Sequence, residues 1–288
     1  MSTMYALLAV DPAQYRYYVP CGMSAILWQW AGFRPFIMQF GPMDLWDQPL
    51  AQRALEEIKK TDPIIKEIEL FDVPAWSNNK RFHCITGSRR LAASMWFDPH
   101  SYIMLGDGDM LLLHDDYLIP EPTMSFHCWG VDMFHEDERE FPRWPSCYQG
   151  ATSGIWREIM KPASDDLAKA TCDHMNQTKQ YALEHYRGQW NCEPGLHAML
   201  SQWHGYPRYC YQGKRKGKPT EYGRRLYLRQ RWTPADPVDC HIRNDWRQNM
   251  HWELLMQHSP RVPSDVKKRL DNYRDDCLQI LRDMKDTV

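Results

Sequence analysis

Tyr102-Ile-Met-Leu-Gly-Asp-Gly-Asp-Met-Leu-Leu-Leu113 sets two carboxylates, Asp107 and Asp109, between two short apolar runs. The runs at 102–105 and 110–113 read as buried strands, and Gly106 and Gly108 allow a sharp turn between them. Burying an unpaired carboxylate costs roughly several kcal/mol. Such a pair therefore calls for a cation, hydrogen-bond donors or solvent. Hard divalent ions such as Mn²⁺ and Mg²⁺ favour carboxylate oxygens and leave positions open for substrate phosphates. The plainer alternative is a solvated acidic turn, since Asp and Gly are common turn residues.

Working outward, strands and helices alternate. Residues 5–10 read as a strand, 21–30 as an apolar helical segment, 36–40 as a strand, 49–60 as a helix and 64–71 as a third strand. Ser88 is placed to cap a helix running to Trp96, which Pro99 closes off. This alternation predicts a wound α/β sheet, whose ligands bind beyond the carboxyl ends of its strands. Downstream, a strand is expected within 123–131, a strand entering a helix over 147–156, and a long helix over 164–186. A further helical unit follows at 188–203, with Pro194 near its start. In the last helix, Ser264 can serve as cap. Val266, Leu270, Tyr273, Cys277, Ile280, Leu281 and Met284 form one apolar stripe, expected to pack back on the domain, with dimerisation as the alternative.

The 288 residues allow one large α/β domain or a domain with an appendage. The nine cysteines are odd in number and never spaced Cys-x-x-Cys, which argues against a zinc ribbon or a disulfide framework. Reduced thiols fit a cytoplasmic protein, in a host cytoplasm if the source is viral. No apolar run approaches the ~20 residues that span a bilayer, and the first residues read as a strand, not a signal peptide. The overall charge of −2 is unevenly spread: residues 214–231 hold eight basic residues and one acid, Glu221. That stretch, with Lys214, Arg215 and Lys216 at its head and Tyr222 and Tyr227 interleaved, could track nucleic-acid phosphates and stack bases. It could equally dock anionic lipid headgroups as a peripheral membrane contact, or be a solvated loop.

The segment around Asp107 and Asp109 resembles the Asp-x-Asp motif of GT-A-fold glycosyltransferases. That likeness implies a GT-A-like, Rossmann-like fold: a mixed, mainly parallel sheet flanked by helices, here with a C-terminal helical extension. It also implies Mn²⁺ or Mg²⁺ and a nucleotide-diphosphate sugar as donor. Asp109 would hold the metal, and Asp107 the metal or the donor ribose. Gly87-Ser-Arg-Arg-Leu-Ala-Ala-Ser94 resembles the helix preceding that motif in several such families, with Arg90, or alternatively Arg89, reaching the donor. His241, in Asp239-Cys-His-Ile-Arg-Asn-Asp245, resembles the late histidine that completes the metal site. The glycine and phosphate-binding lysine that follow it in several members of that family have no counterpart in register in this sequence, so Arg243 would substitute. Val10 and Asp11 at the end of the first strand would seat the nucleotide, with Tyr15 or Tyr17 stacking nearby.

Two further segments resemble the acceptor half of the same fold. One is the Gly150-containing strand entering a helix. The other is Trp190-Asn-Cys-Glu-Pro-Gly-Leu-His197, with Trp190 beside the acceptor. Glu193 is the candidate base for an acceptor hydroxyl, and Asp132 and Asp245 are reserves; a retaining enzyme would need no such base. The expected layout is a catalytic domain over 1–246, its nucleotide-sugar half at 1–115 and acceptor half at 116–246, then the helical extension at 247–288. The expected reaction is sugar transfer from a UDP- or GDP-sugar to a hydroxyl of a glycan, lipid-linked or protein acceptor, or of a hydroxymethylated base in DNA. The competing class is a pyrophosphorylase-like or non-catalytic nucleotide-sugar-binding protein. It is disfavoured because no Gly-rich, basic loop follows the first strand.

Overall fold

The computed structural model describes residues 3–74, 80–115, 125–128, 149–185, 199, 210–211, 225–226, 239–242 and 245–286. The chain folds as a mixed, mainly parallel sheet flanked by helices, with a long helix at its C-terminal end. Strand β1 (Met4–Val10) leads to α1 (Tyr15–Trp30), β2 (Arg34–Phe40), α2 (Pro49–Lys59) and β3 (Ile64–Ile68). Next come α3 (Lys80–Met95), β4 (Tyr102–Asp107), β5 (Met110–Leu112), β6 (Phe126–Cys128) and β7 (Gln149–Thr152). Helices α4 (Ser153–Met160) and α5 (Leu167–His185) follow, then β8 (Cys210–Tyr211), β9 (Arg225–Leu226) and β10 (Asp239–His241). Helices α6 (Asn249–Gln257) and α7 (Ser264–Asp286) complete the order.

Two compact units divide the chain. The first comprises Met1–Leu7, Leu70–Gly106 and Pro120–Tyr222; the second comprises Leu8–Glu69, Asp107–Ile119 and Gly223–Val288. In the first unit, β4 and β6 both pair antiparallel with β7, and β8 runs parallel to β6. Helix α3 packs on α4 and α5, and Trp156 of α4 is fully buried with its Nε1 donating to the Ile103 carbonyl at 3.2 Å. Helix α4 starts at Thr152, whose hydroxyl accepts from the Ile155 N–H, and stops at Lys161 in a left-handed conformation.

In the second unit, β2 and β3 pair parallel in register Phe36↔Ile64 to Phe40↔Ile68. Helix α1 is its centre: every residue from Tyr18 to Trp28 is buried, and the helix contacts α2, β2, β5 and α7. A helix apolar on all sides must lie inside the fold, not on its surface. Tyr273 of α7 lies directly on Gly22, where an added Cβ would sit 2.5 Å from the phenol oxygen. The same phenol donates to the Val19 carbonyl at 3.0 Å.

Several boundaries depart from the sequence expectations. Helix α1 begins at Tyr15, six residues before Cys21, with Pro20 inside it. Proline lacks one intrahelical donor, yet here the helix runs through it. Ser88 is not a cap but an interior residue of α3, and its hydroxyl donates back to the Ile85 carbonyl at 3.2 Å. Ser264 is the first helical residue of α7, and the Pro263 carbonyl accepts from Lys267 N–H. The third strand stops at Ile68, short of Phe71. Of the final stripe, Leu270, Tyr273 and Cys277 are buried and Met284 is 39% exposed. Among the described residues no helix is long and apolar enough to cross a membrane.

Candidate donor and metal site

Asp107 ends β4, Gly108 and Asp109 form the turn, and Met110 begins β5. Asp109 is 6% exposed and Asp107 half-buried. Two elements hold this turn. From α1, the Ser24 hydroxyl donates to the carbonyls of Gly108 at 3.0 Å and Met110 at 2.9 Å. A Cβ at Gly108 would stand 3.4 Å from the Cys21 Cβ, so α1 approaches the turn to van der Waals contact. From the other side, the Asp109 carbonyl accepts from Ile242 N–H at 3.0 Å, and β10 pairs antiparallel with β5 in register His241↔Met110. The backbone of His241 therefore lies across from the residue that follows Asp109. Its side chain lies outside the described residues.

Charge at Asp109 is felt by its neighbour Cys21. Burial first, and the Asp109 carboxylate second, push the Cys21 thiol well above its ordinary range. That thiol therefore stays neutral beside the carboxylate. Carboxylate oxygens such as those of Asp107 and Asp109 are hard donors of the kind Mn²⁺ and Mg²⁺ favour. Among the described residues no three His, Cys, Asp or Glu side chains converge on one point. The third ligand proposed from the sequence, the His241 imidazole, stands outside that set.

At the carboxyl end of β1, Asp11 Oδ1 accepts from Ala13 N–H at 2.8 Å, a local turn that turns the chain into α1. Val10 is buried just before it. The first turn of α1 carries no acidic residue and no side-chain cap, so its positive dipole end is left uncompensated by the helix itself. Tyr15 starts this helix, and Arg247 reaches it: the guanidinium donates to Tyr15 Oη at 2.9 Å and lies 5.3 Å from the ring centroid. Arg247 went unremarked in the sequence, although it stands six residues beyond His241. Arg243, the cation expected there, is outside the described residues.

Asp245 is buried, with Oδ1 3.1 Å from His251 Nδ1 but without the alignment of a hydrogen bond. Arg274 of α7 donates to the Trp246 carbonyl and to Asn249 Oδ1, both at 2.6 Å, and so ties this segment to α7.

The arginines of α3 lie in the first unit. Arg90 is 2% exposed, and its Nε donates to Gln149 Oε1 at 2.9 Å. Arg89 donates to the Gly106 carbonyl at 2.6 Å, on the residue before the acidic pair. Gly150 pairs with Met104, and a Cβ there would come within 2.8 Å of the Tyr102 ring carbon Cζ. Its lack of a side chain is thus used for close strand packing. Asp132, Trp190, Glu193, Lys214, Arg215 and Lys216 lie outside the described residues.

No protein-family model matches the sequence, and no curated protein matches it. Solved structures do. The galactosyltransferase LgtC, in complex with donor and acceptor sugar analogues, superposes with a TM-score of 0.53 at 11% identity. That match covers 91% of this chain and 98% of LgtC. An active-site mutant of LgtC gives 0.50 at the same identity and coverage. The glycosyltransferase GlyE of Streptococcus pneumoniae TIGR4 gives 0.47 at 9% identity, over 96% of this chain and 64% of GlyE. The chain carries the fold of the GT-A glycosyltransferases.

Proposed function

We propose that this protein is a metal-dependent glycosyltransferase that moves a sugar from a UDP- or GDP-sugar to an acceptor hydroxyl. The observation that carries the reading is the Asp107-Gly108-Asp109 turn, clamped by Ser24 of α1 and paired to β10 in a GT-A fold. Asp109, Asp107 and His241 would hold Mn²⁺ or Mg²⁺. When bound, such an ion supplies Lewis-acid neutralisation of the leaving diphosphate. The start of α1 and the Arg247 guanidinium would bind the diphosphate, since a helix N-terminus and a planar cation both favour phosphate. Asp11 would accept from donor hydroxyls and the Tyr15 ring would stack on the base. Arg89 and Arg90 would support the donor half.

On the acceptor side, Glu193 would take the hydroxyl proton. Asp245, buried 3.1 Å from His251, would suit a positioning role better than that of a base. Trp190 and the basic stretch from Lys214 would face the acceptor, a glycan or a hydroxymethylated base in DNA, while the buried Gly150 would shape the strand behind it. Salt-sensitive retention on DNA, lost when 214–218 is neutralised, supports the nucleic-acid version.

The deciding experiment measures thermal shift and donor hydrolysis with UDP- and GDP-sugars, with and without Mn²⁺. A ligand bound to the native state at about 100 times its Kd adds roughly 2.7 kcal/mol of stability. Asp109→Asn should abolish the Mn²⁺-dependent shift and cut turnover by roughly 10²-fold or more. Donor binding that is unchanged in this variant would favour a non-catalytic nucleotide-sugar-binding protein.

A further inference from the structure

Within the second unit, α2, the 3₁₀ turn Met43–Asp47 and strands β2 and β3 line an open cleft of about 780 Å³. None of Asp11, Tyr15, Asp107 or Asp109 lines it. At its floor is Gln39, 5% exposed, from the carboxyl end of β2. Its carboxamide makes one hydrogen bond among the described residues, from Nε2 to the Met43 sulfur at 3.9 Å. A thioether is a weak acceptor, so a buried group with two donors and an acceptor is poorly matched by the protein itself.

The rest of the lining is polar and of both signs. Asp44 and Asp47 lie one 3₁₀ turn apart, so their side chains project from the same side, and both line the cleft with Glu67. Lys59 and Lys66 add two ammonium groups. Asp44, Asp47, Glu67 and Lys59 form no side-chain hydrogen bond or ion pair with another described residue. The wall behind them is fixed: Gln52 donates to the Trp46 carbonyl at 2.7 Å, and the Trp46 indole donates to the Phe40 carbonyl at 2.8 Å.

We propose that this cleft binds a neutral polyhydroxylated ligand, a mono- or disaccharide. Vicinal hydroxyls donate to carboxylates and accept from amides and ammonium groups, which is the mixture the lining presents. Three carboxylates against two ammonium groups leave the lining slightly negative and disfavour a nucleotide or other polyanion. The volume falls within the several-hundred Å³ range of small-molecule sites. The site rests on its own geometry and stands or falls separately from the transferase reading.

Saturation-transfer NMR on the full chain, without metal or nucleotide, tests it with glucose, galactose, N-acetylglucosamine, lactose and maltose at millimolar concentration. At least one sugar should give a signal, reduced about five-fold or more by Gln39→Leu and by the surface change Asp47→Asn, because each removes a hydrogen-bond or charge partner. If Gln39→Leu unfolds the protein, Asp47→Asn alone decides. Asp109→Asn should leave the saccharide signal intact, which separates this cleft from the acidic turn. No signal from any of the five sugars overturns the proposal. So does a signal indifferent to the lining substitutions, or one lost in Asp109→Asn.

Discussion

Glu57 is 2% exposed and yet ionised, because three cations share it. Arg269 Nε donates to Oε1 at 2.6 Å, and Arg53 and Lys60 reach Oε2 at 2.9 and 3.1 Å. Burial alone would raise the carboxyl pKa, but the hydrogen bonds from Arg269, Arg53 and Lys60 outweigh it and hold the pKa below the ordinary glutamate value. Glu57→Gln keeps the shape and one acceptor but removes the charge. Lys60, 59% exposed, returns to water at little cost. Arg53 retains Asp276 at 3.0 Å, whereas Arg269 loses its carboxylate. The loss should fall between that of an exposed pair and that of a fully buried one, about 2–4 kcal/mol. In thermal denaturation of a chain this long that corresponds to a midpoint lower by roughly 3–7 °C. The pH dependence has a definite sign. With a depressed folded pKa, the contribution is complete above the unfolded value of about 4.3 and disappears as pH falls through the folded value. Urea denaturation at pH 7 and at about pH 3 should therefore show a large gap between wild type and variant that closes on acidification. A gap below about 0.5 kcal/mol at pH 7, or one that does not shrink in acid, would refute the reasoning. Packing alone would then hold α2 to α7.

Three other outcomes are expected. Arg247→Ala should raise the donor KM about ten-fold with the thermal midpoint nearly unchanged, since an exposed cation contributes to phosphate binding more than to folding; an unaltered KM removes Arg247 from the donor site. Gly22→Ala would drive a Cβ to 2.7 Å from Tyr273 Cζ, and should cost about 1–2 kcal/mol after the helix-propensity gain is subtracted. Urea denaturation checks this, with relief expected in a Tyr273→Leu background. His174 is fully buried, and burial together with the nearby Arg90 charge pushes its pKa down to about 3. Its ring proton resonances should therefore not titrate between about pH 7.5 and 5, and its neutral burial should cost stability as pH falls from about 6.5 toward 3.

The fold was largely readable in the sequence because its strands are short apolar runs and its helices carry ordinary punctuation. Residues 5–10, 36–40 and 102–113 became β1, β2 and the β4–turn–β5 segment, since burial on both faces leaves near-continuous hydrophobic stretches. Local rules failed where tertiary packing overrode them. The helical segment expected from Cys21 starts earlier, at Tyr15, because the surrounding core accommodates Pro20 inside α1. Ser88 looked like a cap, but α3 starts eight residues earlier, at Lys80. The β4–β5 turn was legible because two carboxylates and two glycines interrupt an otherwise apolar stretch. Ser24 was not, since a serine bonded to carbonyls 84 and 86 residues away leaves no local signature. The same holds for Arg247, whose partner Tyr15 is 232 residues distant in the chain.

The second unit draws on three separated stretches, and β10 brings its pairing partner to β5 only after more than a hundred intervening residues. This has a consequence for how the protein is made. A ribosome emits roughly 5–20 residues per second, so the acidic turn leaves the exit tunnel well before the strand that carries His241. During that interval α1, apolar on every side, lacks Tyr273 to cover Gly22. Contacts of such high sequence separation form late and slowly. A chain interrupted before residue 239 would therefore carry Asp107 and Asp109 without the strand that pairs beside them, and with α1 still uncovered by α7.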